Sequence, residues 1–221
     1  MPAHPDQEDL VRQVMAAGVR DPRVLEALRR VPRAGFVPPY LVERAYYDEP
    51  LPIPHGQVTT QPSLVAKMIE ALELKGSEKV LEVGTGYGFQ TALLAYLSRC
   101  VWSMERWPDI ADVARANLAR QGVGNAQVVV GDGTLGLPKH APFDAILVSA
   151  AFPAVPPPLV EQLAVGGRLV QPIGPGGQEE VALFEQGPEG LVRRRTVIGA
   201  HFVRLYGRYG FPTERSGDGA R

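Results

Sequence analysis

The stretch Val80-Leu81-Glu82-Val83-Gly84-Thr85-Gly86-Tyr87-Gly88-Phe89-Gln90-Thr91 decides how the chain is read. An aliphatic run with the character of a buried strand enters three alternating glycines, and a helical segment follows. In such a turn glycine lets the backbone take positive φ and approach a ligand, while the helix start offers unpaired N–H groups. The spacing is G-x-G-x-G, whereas dinucleotide sites use G-x-G-x-x-G. Glu82, two residues before the first glycine, would repel a pyrophosphate and attract a cationic ligand end.

Outward from this turn a strand–helix rhythm continues. Strands are expected over 80–83, 101–105, 127–130, 145–149 and 168–172, with helices over 90–98, 108–121 and 157–164 between them. That alternation predicts right-handed βαβ units and a parallel, doubly wound sheet, so the fold class is α/β. Two further strand-like runs, 181–184 and 196–202, have no helix between them and predict an antiparallel hairpin at the sheet edge. Upstream the texture changes. Helices are expected over 6–17, from Asp21-Pro22 to just before Val31-Pro32, and over 62–72. Between the last two, Pro38, Pro39, Pro50, Pro52, Pro54 and Pro62 forbid a regular helix and predict an ordered loop with Tyr40, Tyr46 and Tyr47 available to pack. The expected division is an N-terminal helical and proline-rich extension over 1–75, an α/β domain over 76–210 and a flexible tail over 211–221, with the closing SGDGAR frayed.

Composition agrees with one core-forming domain plus an extension. The chain has 221 residues, 45% of them hydrophobic and 21% charged, which excludes a mostly disordered chain. Twenty-three Lys and Arg against 24 Asp and Glu leave a net charge of −1, so the basic footprint of a nucleic-acid or anionic-membrane binder is missing. No apolar run approaches the ~18 residues of a membrane span. The polar start MPAHPDQEDL is not a secretory signal. One cysteine, Cys100, permits no internal disulfide and fits a reducing cytoplasm.

Two more acidic residues sharpen the glycine turn. Glu105 ends the second strand of the α/β part, where a carboxylate can accept both hydroxyls of a ribose. Asp132-Gly133 follows the third, where an adenine edge would lie. Three acids at the carboxyl ends of three consecutive strands describe a site for an adenosine with a positive tail, and S-adenosylmethionine is the expected ligand.

The segments LPIPHGQVTTQPSLVA, VLEVGTGYGFQTALLA, GDGTLGLPKHAPFDAILVSAA and PPPLVEQLAVGGRLVQPIG resemble the protein-L-isoaspartate O-methyltransferase family, in order, from Val31-Pro32-Arg33 to Phe202. The resemblance implies a Rossmann-like S-adenosylmethionine-dependent methyltransferase with an N-terminal extension. It implies methyl transfer to the free α-carboxylate of L-isoaspartyl residues in damaged peptides and proteins, with S-adenosylhomocysteine as product. The ester then closes to a succinimide that reopens partly as aspartate. On this reading Glu82, Gly84, Thr85, Gly86, Gly88, Glu105, Asp132 and Gly133 hold the cofactor. Thr60 is the catalytic hydroxyl, and His55, Thr59 and Thr60 meet the acceptor. The family's usual Thr-Ile-Ser-Gln/Ala-Pro sequence reads Val58-Thr59-Thr60-Gln61-Pro62 here, so threonine replaces serine at position 60. The segment VRLYGRYGFPTER after Phe202 extends past the matched part.

Absences bear on the acceptor. Amine methylation often uses an [Asp/Asn]-Pro-Pro-aromatic turn after the fourth strand; Ser149-Ala150-Ala151-Phe152-Pro153 stands there instead. Metal-assisted catechol chemistry would want carboxylates at that place, so no metal is expected. An α-carboxylate, with a pKa of about 3.5, is already ionised and needs no general base. His55 is as readily a backbone-bonded loop histidine as a base, and His4, His140 and His201 show no ligand spacing. Arg193–Arg195 reads as a solvated strand face. Trp102 alternates like a core strand residue, and Trp107 can face the adenine. The expected partners are isoaspartyl peptides and proteins, with no nucleic acid and no membrane, for a cytoplasmic protein, monomeric by preference. Competing readings are a peptide aspartyl methyltransferase of a dedicated natural-product pathway, a non-catalytic S-adenosylmethionine-binding protein, and, more remotely, an RNA methyltransferase.

Overall fold

A computed structural model of the protein describes residues 4–212. Helix α1 (Gln7–Ala16) begins at Asp6, whose side chain accepts from the Asp9 amide while Asp9 returns the bond to the Asp6 amide. Helix α2 (Pro22–Arg30) begins at Asp21 with proline in the first turn. Leu10, Val11 and Val14 of α1 are buried with Val24, Leu25 and Leu28 of α2. The proline-rich segment that follows holds two short 3-10 turns, Arg33–Phe36 and Pro39–Arg44. It also holds a small antiparallel hairpin of β1 (Leu51–Ile53) and β2 (Gln57–Thr59), where sequence reading places only loop. Each strand is three residues long, and Pro52 points outward, so neither carries a pattern long enough to be read. Helix α3 (Pro62–Leu72) follows.

Arg33 ties this segment together. Its side chain is buried to 1% exposure among carbonyls. Nη1 donates to the Ala45 and Tyr47 oxygens at 3.1 and 2.9 Å, and Nη2 donates to Glu49 O at 2.8 Å and to Thr59 Oγ1 at 3.2 Å. Five planar donors on one head suit four acceptors spread over a loop.

The sheet is built from β3 (Lys79–Val83), β4 (Cys100–Glu105), β5 (Ala126–Val130), β6 (Phe143–Val148), β7 (Leu163–Ile173), β8 (Glu179–Gly187) and β9 (Gly190–Ala200). Its order is β5-β4-β3-β6-β7-β8-β9. The first five strands in that order are parallel, and β8 and β9 join antiparallel, as the two helix-free runs implied. Helices α4 (Phe89–Leu97) and α5 (Pro108–Arg120) make the crossovers from β3 to β4 and from β4 to β5. Helix α6 (Pro157–Glu161) is shorter than the 157–164 expected, because Leu163 already pairs with Phe143 and the chain turns at Gly166 to continue as β7. One buried cluster joins Leu28 and Met68 to Val80, Leu93, Leu147 and Val170, so the first three helices pack against the same core as the sheet. Phe211 packs edge-on against Phe152 at 5.2 Å. The rest of the tail expected over 211–221, from 213 onward, lies outside the described residues. Among the described residues no helix is long and apolar enough to cross a membrane.

Replacing Arg33 by methionine keeps its bulk but strips the buried carbonyls of their donors. Arg33→Met should lower unfolding free energy by about 3 kcal/mol in urea titrations, and unchanged stability would show that the guanidinium does not hold the loop.

Candidate active site

Strand order reverses at β3, with β4 on one side and β6 on the other, and the loops leaving their carboxyl ends diverge. A crevice at such a switch point is where open α/β sheets take ligands. A cavity opens there, lined on the sheet side by Gly84, Thr85, Gly86, Glu105, Gly133 and Ser149. Its opposite wall comes from the β1–β2 hairpin and the residue after it: Ile53, Gln57, Val58, Thr59 and Thr60.

The glycine turn has the conformation its residues permit. Gly84 sits at φ 101°, its amide donating to Met104 O at 2.8 Å, and a side chain there would press on Ser149. Gly133 is required by packing instead: a Cβ would lie 2.3 Å from Val83 Cγ1. Glu105 is 7% exposed and is held from behind. Oε1 accepts from the Arg106 and Trp107 amides at 2.8 and 3.0 Å, and Oε2 accepts from the Gly86 amide at 2.9 Å. These bonds fix the carboxylate across the glycine turn and leave lone pairs for a ligand.

Glu82 differs from expectation. Its carboxylate is fully buried beneath the turn and does not line the cavity. Oε2 accepts from Thr91 and Ser103 hydroxyls, both at 2.5 Å, and Oε1 accepts from Gln90 Nε2 at 2.8 Å. Ser103 also meets the Thr85 hydroxyl at 2.5 Å, so a polar chain runs from Glu82 up to the cavity wall. Burial pushes the Glu82 pKa up to about 7, the three hydrogen bonds opposing and the Glu105 charge adding to the rise. Side-chain alternation sends this acid down into the layer between sheet and helix, so only its neighbours reach the ligand space.

Asp132 is also outside the cavity lining. Its carboxylate accepts from Thr134 N and Oγ1 at 2.9 and 2.6 Å and from Arg208 N at 2.7 Å, capping a short turn and holding the C-terminal segment. Gly133 beside it does line the cavity. His55 stands at the hairpin tip at φ 59° and is likewise absent from the lining. Its ring stacks on Trp107 at 3.9 Å and 4°, and Nε2 lies 2.8 Å from Asp109, whose pKa this bond lowers. Trp107 lines the cavity next to Glu105, whereas Trp102 is half-buried and stacks on His140. Gly88 lies outside the lining and caps α4.

Thr59 and Thr60 line the cavity, but their hydroxyls are used differently. Thr59 Oγ1 accepts from Arg33 and from the Leu51 amide. A simple capping role for Thr60 is not what the structure has. Gln61 occupies the cap position, and Asp48 from the preceding loop accepts from the Ser63 amide at 2.8 Å. Sequence reading missed Gln90, Ser149, Phe36 and the Val203–Tyr206 stretch as lining residues. The last is carried over the site by pairing of Ala151 N with Val203 O and of Leu205 N with Ala151 O, both 2.8 Å. Its aromatic and basic content, Arg204 and Tyr206, was the only available signal.

The sequence profile described as protein-L-isoaspartate(D-aspartate) O-methyltransferase matches residues 5–210. The chain belongs to this family. A protein-L-isoaspartate O-methyltransferase of Methanoculleus marisnigri is 51% identical over 217 residues, covering 97% of this chain and 98% of its own. One of Anaeromyxobacter dehalogenans is 52% identical over 190 residues, covering 85% and 91%. A solved protein-L-isoaspartate O-methyltransferase superposes with a TM-score of 0.80 at 29% identity, covering 92% of this chain and 67% of that one. The isoaspartate O-methyltransferase family thus spans both the sheet and the helical extension that walls the cavity.

The buried acid of this family member gives a pH signature. Unfolded, Glu82 titrates at its ordinary 4.5; folded, it titrates at about 7. Between those values the native state holds a proton that the unfolded chain has lost, so the contribution of Glu82 to stability falls as pH rises. The free energy of unfolding of the wild type, measured against Glu82→Gln, should drop by about 3 kcal/mol from pH 4.5 to 7 and level off above. A difference constant with pH would place the Glu82 titration elsewhere.

Proposed function

We propose that this chain transfers the methyl group of S-adenosylmethionine to the free α-carboxylate of L-isoaspartyl residues in peptides and proteins. The observation that carries the reading is one cavity with two walls of different character. Glu105 and the glycine turn form one wall and the Thr59–Thr60 strand end the other, in a chain of the isoaspartate methyltransferase family.

The residues present fit an adenosine-based cofactor. The Glu105 carboxylate, held by three backbone amides, would accept from ribose hydroxyls, and Gly84, Thr85 and Gly86 present a surface that side chains would fill. Gly133 and Trp107 would flank the base, while Asp132 acts on the site through the turn it caps. When bound, S-adenosylmethionine supplies a methyl group made electrophilic by the adjacent sulfonium. Everything else falls to binding and placement. An ionised carboxylate needs no proton removed, and no histidine, lysine, cysteine or aspartate is found among the described residues lining the cavity. The Thr60 hydroxyl would donate to the acceptor carboxylate and hold it in line, and the hairpin would exclude water. Arg33 keeps the neighbouring Thr59 fixed, so the β1–β2 hairpin and the residue after it serve as the acceptor-side wall. His55 is a link between that wall and Trp107.

A site that orients its acceptor by backbone and hydroxyl contacts discriminates between a short-armed α-carboxylate and a β-carboxylate on a normally routed chain. With matched peptides and labelled cofactor, methylation should be seen on the isoaspartyl form and be at least tenfold slower on the aspartyl form; equal rates would remove the repair reading. Thr60→Val keeps the branched shape and deletes the hydroxyl. It should reduce kcat/KM by about 10–100-fold, or ~1.5–3 kcal/mol, with cofactor affinity and Tm little changed, while Thr60→Ser retains most activity. A variant that loses stability and keeps turnover would make Thr60 a structural residue only.

A further inference from the structure

Sheet order dictates how a cofactor of this shape must lie. Glu105 and Gly133 follow β4 and β5, to one side of β3. Ser149 follows β6 on the other side, and Gln90 stands in the first turn of α4, directly after the glycine turn. A ligand with its ribose at Glu105 and its base toward Gly133 therefore carries its amino-acid tail over β3 and β6.

Gln90 lines the cavity there and is 7% exposed. Its Nε2 is fully engaged, donating to Glu82 Oε1 and to Ser149 Oγ, both at 2.8 Å. Its Oε1 is buried and has no partner. An amide oxygen left in this state is rare in folded proteins and marks a place where a donor belongs. The donor that fits is cationic, because the amide is polarised by the Glu82 carboxylate on its far side.

We propose that Gln90 recognises the cofactor's methionine tail, its amide oxygen accepting a hydrogen bond from the α-ammonium while Glu82 acts behind it without touching the ligand. This assignment rests on the cofactor reading above. It explains how an acid placed before the glycine turn can favour a cationic ligand from beneath the cavity floor. Gln90 touches the ligand; Glu82 is a positioning residue.

The test compares S-adenosylhomocysteine with its deamino analogue, identical except that hydrogen replaces the ammonium, by calorimetry on the wild type, Gln90→Met and Gln90→Asn. Wild-type protein should prefer S-adenosylhomocysteine by about tenfold or more, and Gln90→Met should lose most of that preference while binding the analogue within about twofold of wild type. Gln90→Asn draws the amide back by one methylene, keeps a polar side chain should the methionine variant not fold, and should lose the preference in the same way. Equal losses for both ligands, an unchanged preference, or an effect confined to the KM of the peptide would overturn the assignment while leaving the cofactor reading intact. Wild-type protein that binds neither ligand would overturn the cofactor reading and the assignment with it.

Discussion

The site depends on a single topological constraint, the reversal of strand order at β3. Because β4 and β6 flank β3 and their connections leave in opposite directions, nothing in the sheet itself covers the carboxyl end of β3. The glycine turn occupies that opening, and a bulkier turn would close it against Ser149. The hairpin from the N-terminal extension then forms the far wall. An α/β sheet alone would offer a shallow cleft; the added helices and the segment held by Arg33 turn it into a two-sided cavity.

The second constraint is electrostatic. Glu82 lies beneath the turn in a network of Gln90, Thr91, Ser103 and Thr85 that leaves its charge no water. Such a group is tolerated when its hydrogen bonds are complete, and here three donors converge on it. The same contacts set the orientations of the side chains above it. Glu105 has the opposite arrangement, with backbone amides behind it and its free lone pairs facing the cavity. Two acids of one sequence pattern thus divide into one enclosed beneath the turn and one held in the cavity wall.

The α/β rhythm was legible because its strands are aliphatic runs ended by Gly or acid, and its helices start at residues such as Pro108, which suits the first helical position. The edge hairpin of β8 and β9 was legible for the same reason, by the lack of a helix between its strands. The β1–β2 hairpin was not, since three-residue strands carrying Pro52 have no periodicity to detect. The tryptophan stack of His55, the buried bonds of Arg33 and the hidden carboxylate of Glu82 depend on tertiary placement, which spacing cannot report. Asp132 shows the limit most clearly: a loop acid after a strand reads as a ligand contact, and only the fold shows that Thr134 and Arg208 have already claimed its oxygens.

The ring-on-ring contact of His55 with Trp107 has an optical consequence. The chain contains two tryptophans, and the other, Trp102, is half-buried against His140 away from the cavity. Trp107 alone combines a place in the cavity wall with a stacked imidazole, so its emission senses both the occupant of the site and the seating of the hairpin. A natural spectroscopic reporter is therefore built into the joint between the two walls, and Trp102→Phe would isolate its signal without touching the cavity.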